Sequence, residues 1–201
     1  TKTRLSIALR FFAGADPDDI MQIHEVSLTS VYYSVWCVMD AINQTEALAY
    51  SFPDHNEQRR IAEAFRRKSG AGFKRIIGVI DGIVICTLCP DRAICALLQC
   101  GQKSFRCHRK DKFGMNMQAI CDDKLRFTWV EIKWPAATSD YMAWVTSSLC
   151  KLLEDNASTE ILLDGYTLVG DNAYVKKHYM ATPLKGIRGG FEDGYNFYLS
   201  Q

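Results

Sequence analysis

The sequence lacks any apolar run long enough to cross a bilayer, and its first residues lack the cleavage pattern of a signal peptide. Internal repeats and low-complexity tracts are also missing. Charge of one sign is scarce, because 24 lysines and arginines face 23 aspartates and glutamates for a net charge of +1. These absences predict a protein without a membrane partner. The balanced charge neither favours nor excludes a nucleic-acid partner, because local patches matter more than the total.

What is present suits one medium-sized domain, or one domain with a small appendage. The chain has 201 residues, of which 48% are hydrophobic. It begins with Thr1 rather than Met, so we expect it to be a piece of a longer protein. Its eight cysteines lie among core-type residues, as in "VWCVM" and "SLCKLL". That placement favours free buried thiols in a reducing compartment over a disulfide framework.

The segment 1–47 has the pattern of a small helical domain. Asp16 and Pro17 are typical of an N-cap and a first helical residue, so they predict a short helix over "DDIMQIH". A turn in "EVSLTS" then leads into a longer helix over "SVYYSVWCVMDAIN". This arrangement resembles a helix-turn-helix, whose second helix lies in the major groove of DNA. A plain helical bundle that packs against the rest of the protein is the alternative.

Helical periodicity gives way to strand patterns along the rest of the chain. The segment 48–71 predicts a linker and a basic helix, "NEQRRIAEAFRRKSG", whose charges are typical of a solvated face. In 72–201 a strand "FKRIIGVIDGIVI" precedes a hairpin of "GMNMQAICD" and "RFTWVEIKW". A helix over "SDYMAWVTSSLCKLLEDN", capped by Thr138 or Ser139, leads to a fourth strand, "ILLDGYTLVGD", and a short fifth in "MATPLKG". This order predicts an α/β fold with a mixed sheet.

Two aspartates follow apolar runs in similar settings. Asp81 in "RIIGVIDGIVI" precedes Gly82, and Asp171 in "TLVGDNAY" follows Gly170. The fourth strand should join the sheet beside the first, so both carboxylates would project from neighbouring strands. Two close carboxylates repel unless a cation lies between them, and oxygen ligands suit Mg²⁺ or Mn²⁺. The alternative is that each Asp only caps a strand end beside a glycine turn.

From about residue 50 onward the sequence resembles the PIF/Harbinger-type transposases. The stretches that carry the resemblance keep that family's order and similar spacing: "FPDHNEQRRIAEAF", "GVIDGIVI", "HRKDKFGMNMQAICD", "RFTWVEIKWPAATSD", "LVGDNAYVKKHYMATPLKG" and "YNFYLSQ". They span about three quarters of the chain. The N-terminal helices are also similar to the helix-turn-helix segment that precedes the nuclease domain in these proteins.

This resemblance implies a ribonuclease-H-like nuclease domain with an Asp-Asp-Glu triad, in which Asp81 and Asp171 are the first two acids and ligate metal. It implies a transposase, or a DNA endonuclease derived from one, that hydrolyses phosphodiester bonds and transfers strands with two Mg²⁺ or Mn²⁺ ions. DNA in the nucleus would be the substrate. A separate DNA-binding partner protein and a homo-oligomer are further expected partners.

Three departures from the family pattern bear on activity. Ile83 and Val84 replace the Thr-His that usually follows the first Asp-Gly. Ser139-Asp140-Tyr141 stands where the family often has His-Asp-Ser, and we interpret Asp140 as an acid favoured at a helix N-terminus. The family's Glu lies in a helix after a stretch like "YNFYLSQ", where this chain ends.

The acids nearest to that point are Glu192 and Asp193, in "GGFEDGYN". This stretch predicts a Gly-rich loop and does not match the motif that carries the triad Glu. We therefore expect a nuclease fold without its C-terminal helix, and a fragment without activity. A non-catalytic, domesticated protein that binds DNA or a protein partner is the alternative, and the loss of Thr-His favours it.

Two basic regions are candidates for contacts with DNA phosphates. The first surrounds "KSFRCHRKDK" and supplies Arg106, Arg109, Lys110, Lys112 and, from the family pattern, Asn116. The second follows Asp171 and supplies Lys176, Lys177, Lys185 and Arg188. The alternative for the first region is a Lys-rich hairpin that protects a sheet edge.

One window, "CTLCPDRAICALLQCGQKSFRCH", gathers five cysteines and His108. Cys86 and Cys89 have the spacing that opens many structural zinc sites. A second close pair is missing, because the later spacings are irregular. A zinc-binding interaction module is therefore a third hypothesis, and a hairpin with buried thiols is its alternative.

Overall fold

The computed structural model describes residues 2–155, 158–186 and 189–199. Contacts divide the chain into two compact units, Thr1–Ala49 and Tyr50–Gln201. Within the described residues, no helix is both long and apolar enough to cross a membrane.

The first unit contains three α-helices in its described part, α1 (Lys2–Phe12), α2 (Pro17–His24) and α3 (Leu28–Asn43), followed by a short 3-10 helix (Glu46–Leu48). The Asp16 carboxylate accepts a hydrogen bond from the Asp18 backbone N–H at 2.8 Å and so begins α2. Ile7, Ile20 and Val31, one from each α-helix, form its buried core. These helices confirm the short helix, turn and longer helix that the sequence predicts.

The first unit has a negative net charge. It has three lysines and arginines against six aspartates and glutamates, which gives a net charge of −3. Helix α3, which would be the recognition helix of a helix-turn-helix, contains neither Lys nor Arg. Any contact between this unit and DNA phosphates would therefore depend on the three basic residues of α1.

The second unit is built on a mixed sheet. Its strands are β1 (Ile76–Cys86), β2 (Arg106–Cys107), β3 (Lys112–Cys121), β4 (Phe127–Pro135), β5 (Thr167–Val169) and β6 (Met180–Ala181). The central order is β4-β3-β1-β5-β6, and β2 pairs with the start of β3. The three long strands are antiparallel, whereas β5 joins β1 in parallel. This α/β topology confirms the predicted fold class and is consistent with part of a ribonuclease-H-like fold.

The two faces of the sheet differ in cover. Residues alternate along β1, so that Ile80 is buried while Val79, Asp81 and Ile83 are exposed. Ile80 belongs to the main core cluster, together with residues of α6 (Asp140–Val145) and α7 (Ser148–Glu154). The opposite face bounds a cavity of about 580 Å³, which residues of α4 (His55–Lys68) and α9 (Phe191–Leu199) also line. Asp81 lies on this less covered face.

The crossover helix is broken where the sequence predicts one continuous helix. Ser139 caps α6 as expected, but α6 ends at Val145 and α7 begins at Ser148. The Ser147 hydroxyl accepts a hydrogen bond from the Cys150 N–H at 3.1 Å and so begins a new helix. Side-chain hydroxyls compete with helical hydrogen bonding in this way, which explains the break.

Two further predictions of secondary structure are wrong. The fourth strand is only Thr167–Val169, because the residues before it form helix α8 (Ser158–Ile161) and a turn at Gly165, whose φ is 71°. The stretch "GGFEDGYN" leads into helix α9 rather than forming a loop. The Asn196 side chain ties α9 to the main chain of Leu184 through hydrogen bonds of 2.8 and 2.9 Å. Tertiary contacts therefore outweigh the low helix propensity of glycine there.

Candidate functional site

The pairing of β1 with β5 sets the positions of the two predicted acids. Val79 of β1 lies opposite Val169 of β5 in a parallel register. Asp81 and Asp171 each come two residues later, so they lie at the same level on neighbouring chain segments. Both aspartates are exposed. The parallel pairing of these two segments agrees with the strand order that the sequence predicts.

Each of these carboxylates makes only local hydrogen bonds. The Oδ1 atom of Asp81 accepts from the Gly82 N–H at 2.7 Å, and the Oδ1 atom of Asp171 accepts from the Ala173 N–H at 2.8 Å. Within the described part of the chain, neither forms a salt bridge. Exposed carboxylates that form no ion pair among the described residues can supply oxygen ligands to a metal ion.

A buried polar network lies behind these acids, on the core side of the sheet. Its members, called the polar network below, are Asn116, Gln118, Asp140 and Tyr174. The Tyr174 hydroxyl donates to Gln118 Oε1 at 2.7 Å, and Gln118 Nε2 donates to Asp140 Oδ1 at 2.9 Å. Asn116 Nδ2 donates to the same Asp140 oxygen at 3.0 Å. The network thus links β3, the start of α6 and the turn after β5.

The surroundings of the Tyr174 hydroxyl disfavour its ionisation. Burial raises the pKa of the Tyr174 hydroxyl well above its usual value, and the negative charges of Asp140, Asp81 and Asp171 raise the pKa further. The tyrosine therefore stays protonated and keeps its hydrogen-bond donor at any ordinary pH.

Asp140 is the member of this region that sequence reasoning missed. It begins α6, as an acid favoured by the helix dipole does, but its side chain also accepts two hydrogen bonds from β3. Its match to the middle residue of the family's His-Asp-Ser stretch was the available signal. The spacing gave no indication that Gln118 and Tyr174 would join it, because they lie 56 residues apart in sequence.

Asn116 does not occupy the position that the sequence predicts for a DNA contact. Its side chain is buried, with the residue 4% exposed. Its amide nitrogen donates to Thr138 and Asp140, and its oxygen accepts from Gln118. With every polar atom bonded inside the protein, Asn116 is not available to a nucleic acid.

The other members of the first basic region are exposed on the β2–β3 hairpin: Arg106, Arg109, Lys110 and Lys112. Arg106 Nε donates to Asp111 Oδ1 at 2.9 Å, so the Asp111 carboxylate partly neutralises the positive charge of Arg106. Lys112 lies seven residues along β3 from Ala119, the partner of Asp81, or roughly 24 Å at 3.4 Å per residue. The hairpin would therefore contact a phosphate well away from the two acids.

In the second basic region, Lys176 and Lys177 are exposed in the segment that follows Tyr174. Lys177 Nζ forms an ion pair with Glu154 Oε1 at 3.1 Å. Lys185 lies at the end of the described part of this region, and Arg188 lies outside the described residues. Lys176 follows Asp171 by five residues, which span at most about 18 Å when fully extended. Lys176 therefore lies nearer to Asp171 than the roughly 24 Å that separates Lys112 from Ala119 along β3.

The cysteine-rich window does not form a metal site. Cys86 and Cys89 are exposed, whereas Cys95 in α5 (Arg92–Leu97) and Cys107 in β2 are buried. Burial raises the pKa of the Cys95 thiol, which disfavours the thiolate that zinc requires. Across the described ranges, no three His, Cys, Asp or Glu side chains gather in a group that could hold a metal ion.

The strand order defines the class of fold as an α/β domain with a mixed sheet, consistent with part of a ribonuclease-H-like fold. The sequence profile of the DDE superfamily endonuclease family matches residues 84–197, which is more than half of the chain. The chain therefore belongs to the DDE superfamily endonuclease family. The match includes Asp171 and the polar network and begins three residues after Asp81. No curated protein and no solved structure matches the chain.

Members of this family generally depend on divalent metal ions. Asp81 and Asp171 fit such an ion in donor chemistry, because both are exposed carboxylates and their Oδ2 atoms have no hydrogen-bond partner among the described residues. Mg²⁺ typically binds through one or two carboxylates and completes its shell with waters and substrate phosphates. Asp81 and Asp171 could therefore supply the protein ligands of one divalent metal ion, whose remaining ligands would come from water and substrate.

Proposed function

We propose that the second unit is the nuclease domain of a PIF/Harbinger-type transposase, or of a nuclear DNA endonuclease derived from one. The observation that carries the proposal is the register of β1 and β5, which brings Asp81 and Asp171 to one level of the sheet. Bound there, Mg²⁺ or Mn²⁺ would activate a water and stabilise the leaving oxygen of a phosphodiester.

The residues of the chain have separate tasks in this proposal. Asp81, on β1, and Asp171, in the turn that follows β5, supply oxygen ligands, and each comes two residues after the paired Val79 and Val169. Exposed cations on the β2–β3 hairpin and after Tyr174 hold the DNA backbone. The second unit carries the positive charge of the protein, because residues 50–201 contain 21 lysines and arginines against 17 aspartates and glutamates.

DNA binding by the hairpin has a measurable salt signature. Replacing Arg109, Lys110 and Lys112 together with Gln should reduce the slope of log affinity against log salt by about 2 to 3, since each lost phosphate contact removes about 0.9. Fluorescence anisotropy with a labelled duplex at several salt concentrations measures the slope.

The matched control for this experiment is the basic face of α4. Arg66 and Arg67 are paired with Glu63, at 2.8 and 3.8 Å, so replacing both with Gln should leave the slope unchanged. Equal slopes for the hairpin variant and the unaltered protein would show that the hairpin does not contact DNA.

A non-catalytic protein that binds DNA or a protein partner is the second candidate function. It is favoured by the apolar Ile83 and Val84 that follow Asp81 on the strand. Incubation of a supercoiled plasmid with the full-length protein and Mg²⁺ or Mn²⁺ separates the two functions. Nicking that EDTA abolishes supports the nuclease. Salt-sensitive binding without metal-dependent nicking supports the alternative.

A further inference from the structure

Each of the two acids has a glycine as its neighbour, and both glycines are in contact with the polar network. A Cβ atom on Gly82, which follows Asp81, would lie 2.6 Å from Gln118 Nε2 and closer still to Asp140 Oδ1. A Cβ atom on Gly170, which precedes Asp171, would lie 2.7 Å from Cδ2 of the Tyr174 ring. Only a residue without a side chain allows such close approach of the network to the backbone.

The hydrogen bonds of the network have one consistent direction. The Asp140 Oδ1 atom accepts, so the Gln118 amide nitrogen faces it. The Gln118 oxygen then faces Tyr174, whose hydroxyl donates to it. Gln118 is 2% exposed and Tyr174 3% exposed, so water cannot readily replace either partner.

We infer that the polar network is a brace that fixes the separation of Asp81 and Asp171 from behind the sheet. Asp140 and Gln118 lie against the backbone of Gly82, which follows Asp81. The Tyr174 ring lies against the backbone of Gly170, which precedes Asp171. The network members are positioning residues, since their hydrogen bonds lie on the core side while Asp81 lies on the opposite face. This inference rests on the proposed function for its consequence, which is the affinity of the two acids for a divalent ion.

Tyr174→Phe is the mildest way to cut the brace, because the ring that packs on Gly170 remains. Tyr179→Phe is the matched control. Tyr179 is 1% exposed, and its hydroxyl donates at 2.9 Å to Glu154, which is not part of the network. Tyr174→Phe should weaken Mn²⁺ binding by about tenfold, as losses of residues that support metal ligands do. Tyr179→Phe should leave the affinity within about twofold of the unaltered protein.

Asp140→Asn distinguishes a brace from a ligand. An Asn side chain keeps an oxygen that can accept from Gln118. If Asp140 is only part of the brace, the Mn²⁺ affinity of Asp140→Asn should therefore stay within about threefold of the original. Losing a residue that supports a metal ligand typically lowers the affinity by about 10- to 100-fold. A loss as large as that of Asp81→Asn would make Asp140 a metal ligand and overturn the assignment of the network as a brace.

The experiment combines isothermal titration of the 201-residue chain with Mn²⁺ and backbone amide hydrogen exchange by NMR. In the brace account, Tyr174→Phe speeds exchange of the Gly170 N–H, which donates to Ala181, by about tenfold over the Tyr179→Phe control. Faster exchange together with weaker Mn²⁺ binding supports the account. If the unaltered chain binds Mn²⁺ and Tyr174→Phe binds it equally well, the brace is wrong and the metal site stands. If neither the unaltered chain nor any variant binds Mn²⁺, the proposed metal site is wrong. In that case, unchanged hydrogen exchange of the Gly170 N–H in Tyr174→Phe would show that the brace is wrong as well.

Discussion

Asp81→Asn and Asp171→Asn should each abolish divalent-ion-dependent cleavage of DNA by the full-length protein. An Asn amide keeps the shape of the side chain and removes the negative charge that attracts the ion. Metal ions contribute several kcal/mol of transition-state stabilisation, and about 1.4 kcal/mol corresponds to tenfold in rate. The expected loss is therefore about a thousandfold or more, measured as the rate of plasmid nicking with Mg²⁺ or Mn²⁺.

The control for these variants is Asp164→Asn. Asp164 is an exposed acid of the same unit, in the turn before β5, and should be dispensable for cleavage. DNA affinity at fixed salt should stay the same or rise slightly in the Asp81 and Asp171 variants, because removing an acid reduces repulsion of phosphates. Cleavage at the original rate by either variant would rule out the two-carboxylate site.

Gly82→Ala should destabilise the second unit by about 3 kcal/mol, the upper range for forcing an extra methyl into a packed site. The new Cβ atom would collide with Gln118 Nε2 and Asp140 Oδ1. Both atoms are ends of side chains, but moving them breaks buried hydrogen bonds, so the collision cannot be relieved cheaply. The melting temperature should fall by roughly 10 °C for a domain of this size.

Gly101→Ala provides the comparison for this prediction. Nothing lies within 4 Å of a Cβ atom on Gly101, and its φ is −85°, which any residue adopts. Its unfolding free energy in urea should change by less than about 0.5 kcal/mol. If Gly82→Ala were as stable as Gly101→Ala, the network could not be packed against β1 as described.

The sequence could predict that the strand before Asp171 lies beside the strand that carries Asp81. A run of apolar, mostly β-branched residues identifies β1, and the rules for crossover connections place β5 beside it. The pairing of β1 with β5 shifts register between Ile76 and Gly78. This shift does not change the alignment of Val79 with Val169, because the pairing is regular beyond it.

The polar network could not be predicted because its hydrogen bonds join residues far apart in the chain. Gln118 and Asp140 are 22 residues apart, and Gln118 and Tyr174 are 56 apart. The resemblance to the family pattern predicts that Asn116 contacts DNA, whereas its side chain is buried and donates a hydrogen bond to Asp140. Helix α9 was missed for a related reason, since its contacts with Leu184 outweigh its local glycines.

The central claim is that Asp81 and Asp171 bind a divalent ion together. Anomalous diffraction from a crystal soaked in MnCl₂ tests this claim most directly. We predict an anomalous peak bridging the two side chains, about 2.1 Å from a carboxylate oxygen of each. A peak that contacts neither aspartate, or full-occupancy Mn²⁺ held by other residues alone, would contradict the account.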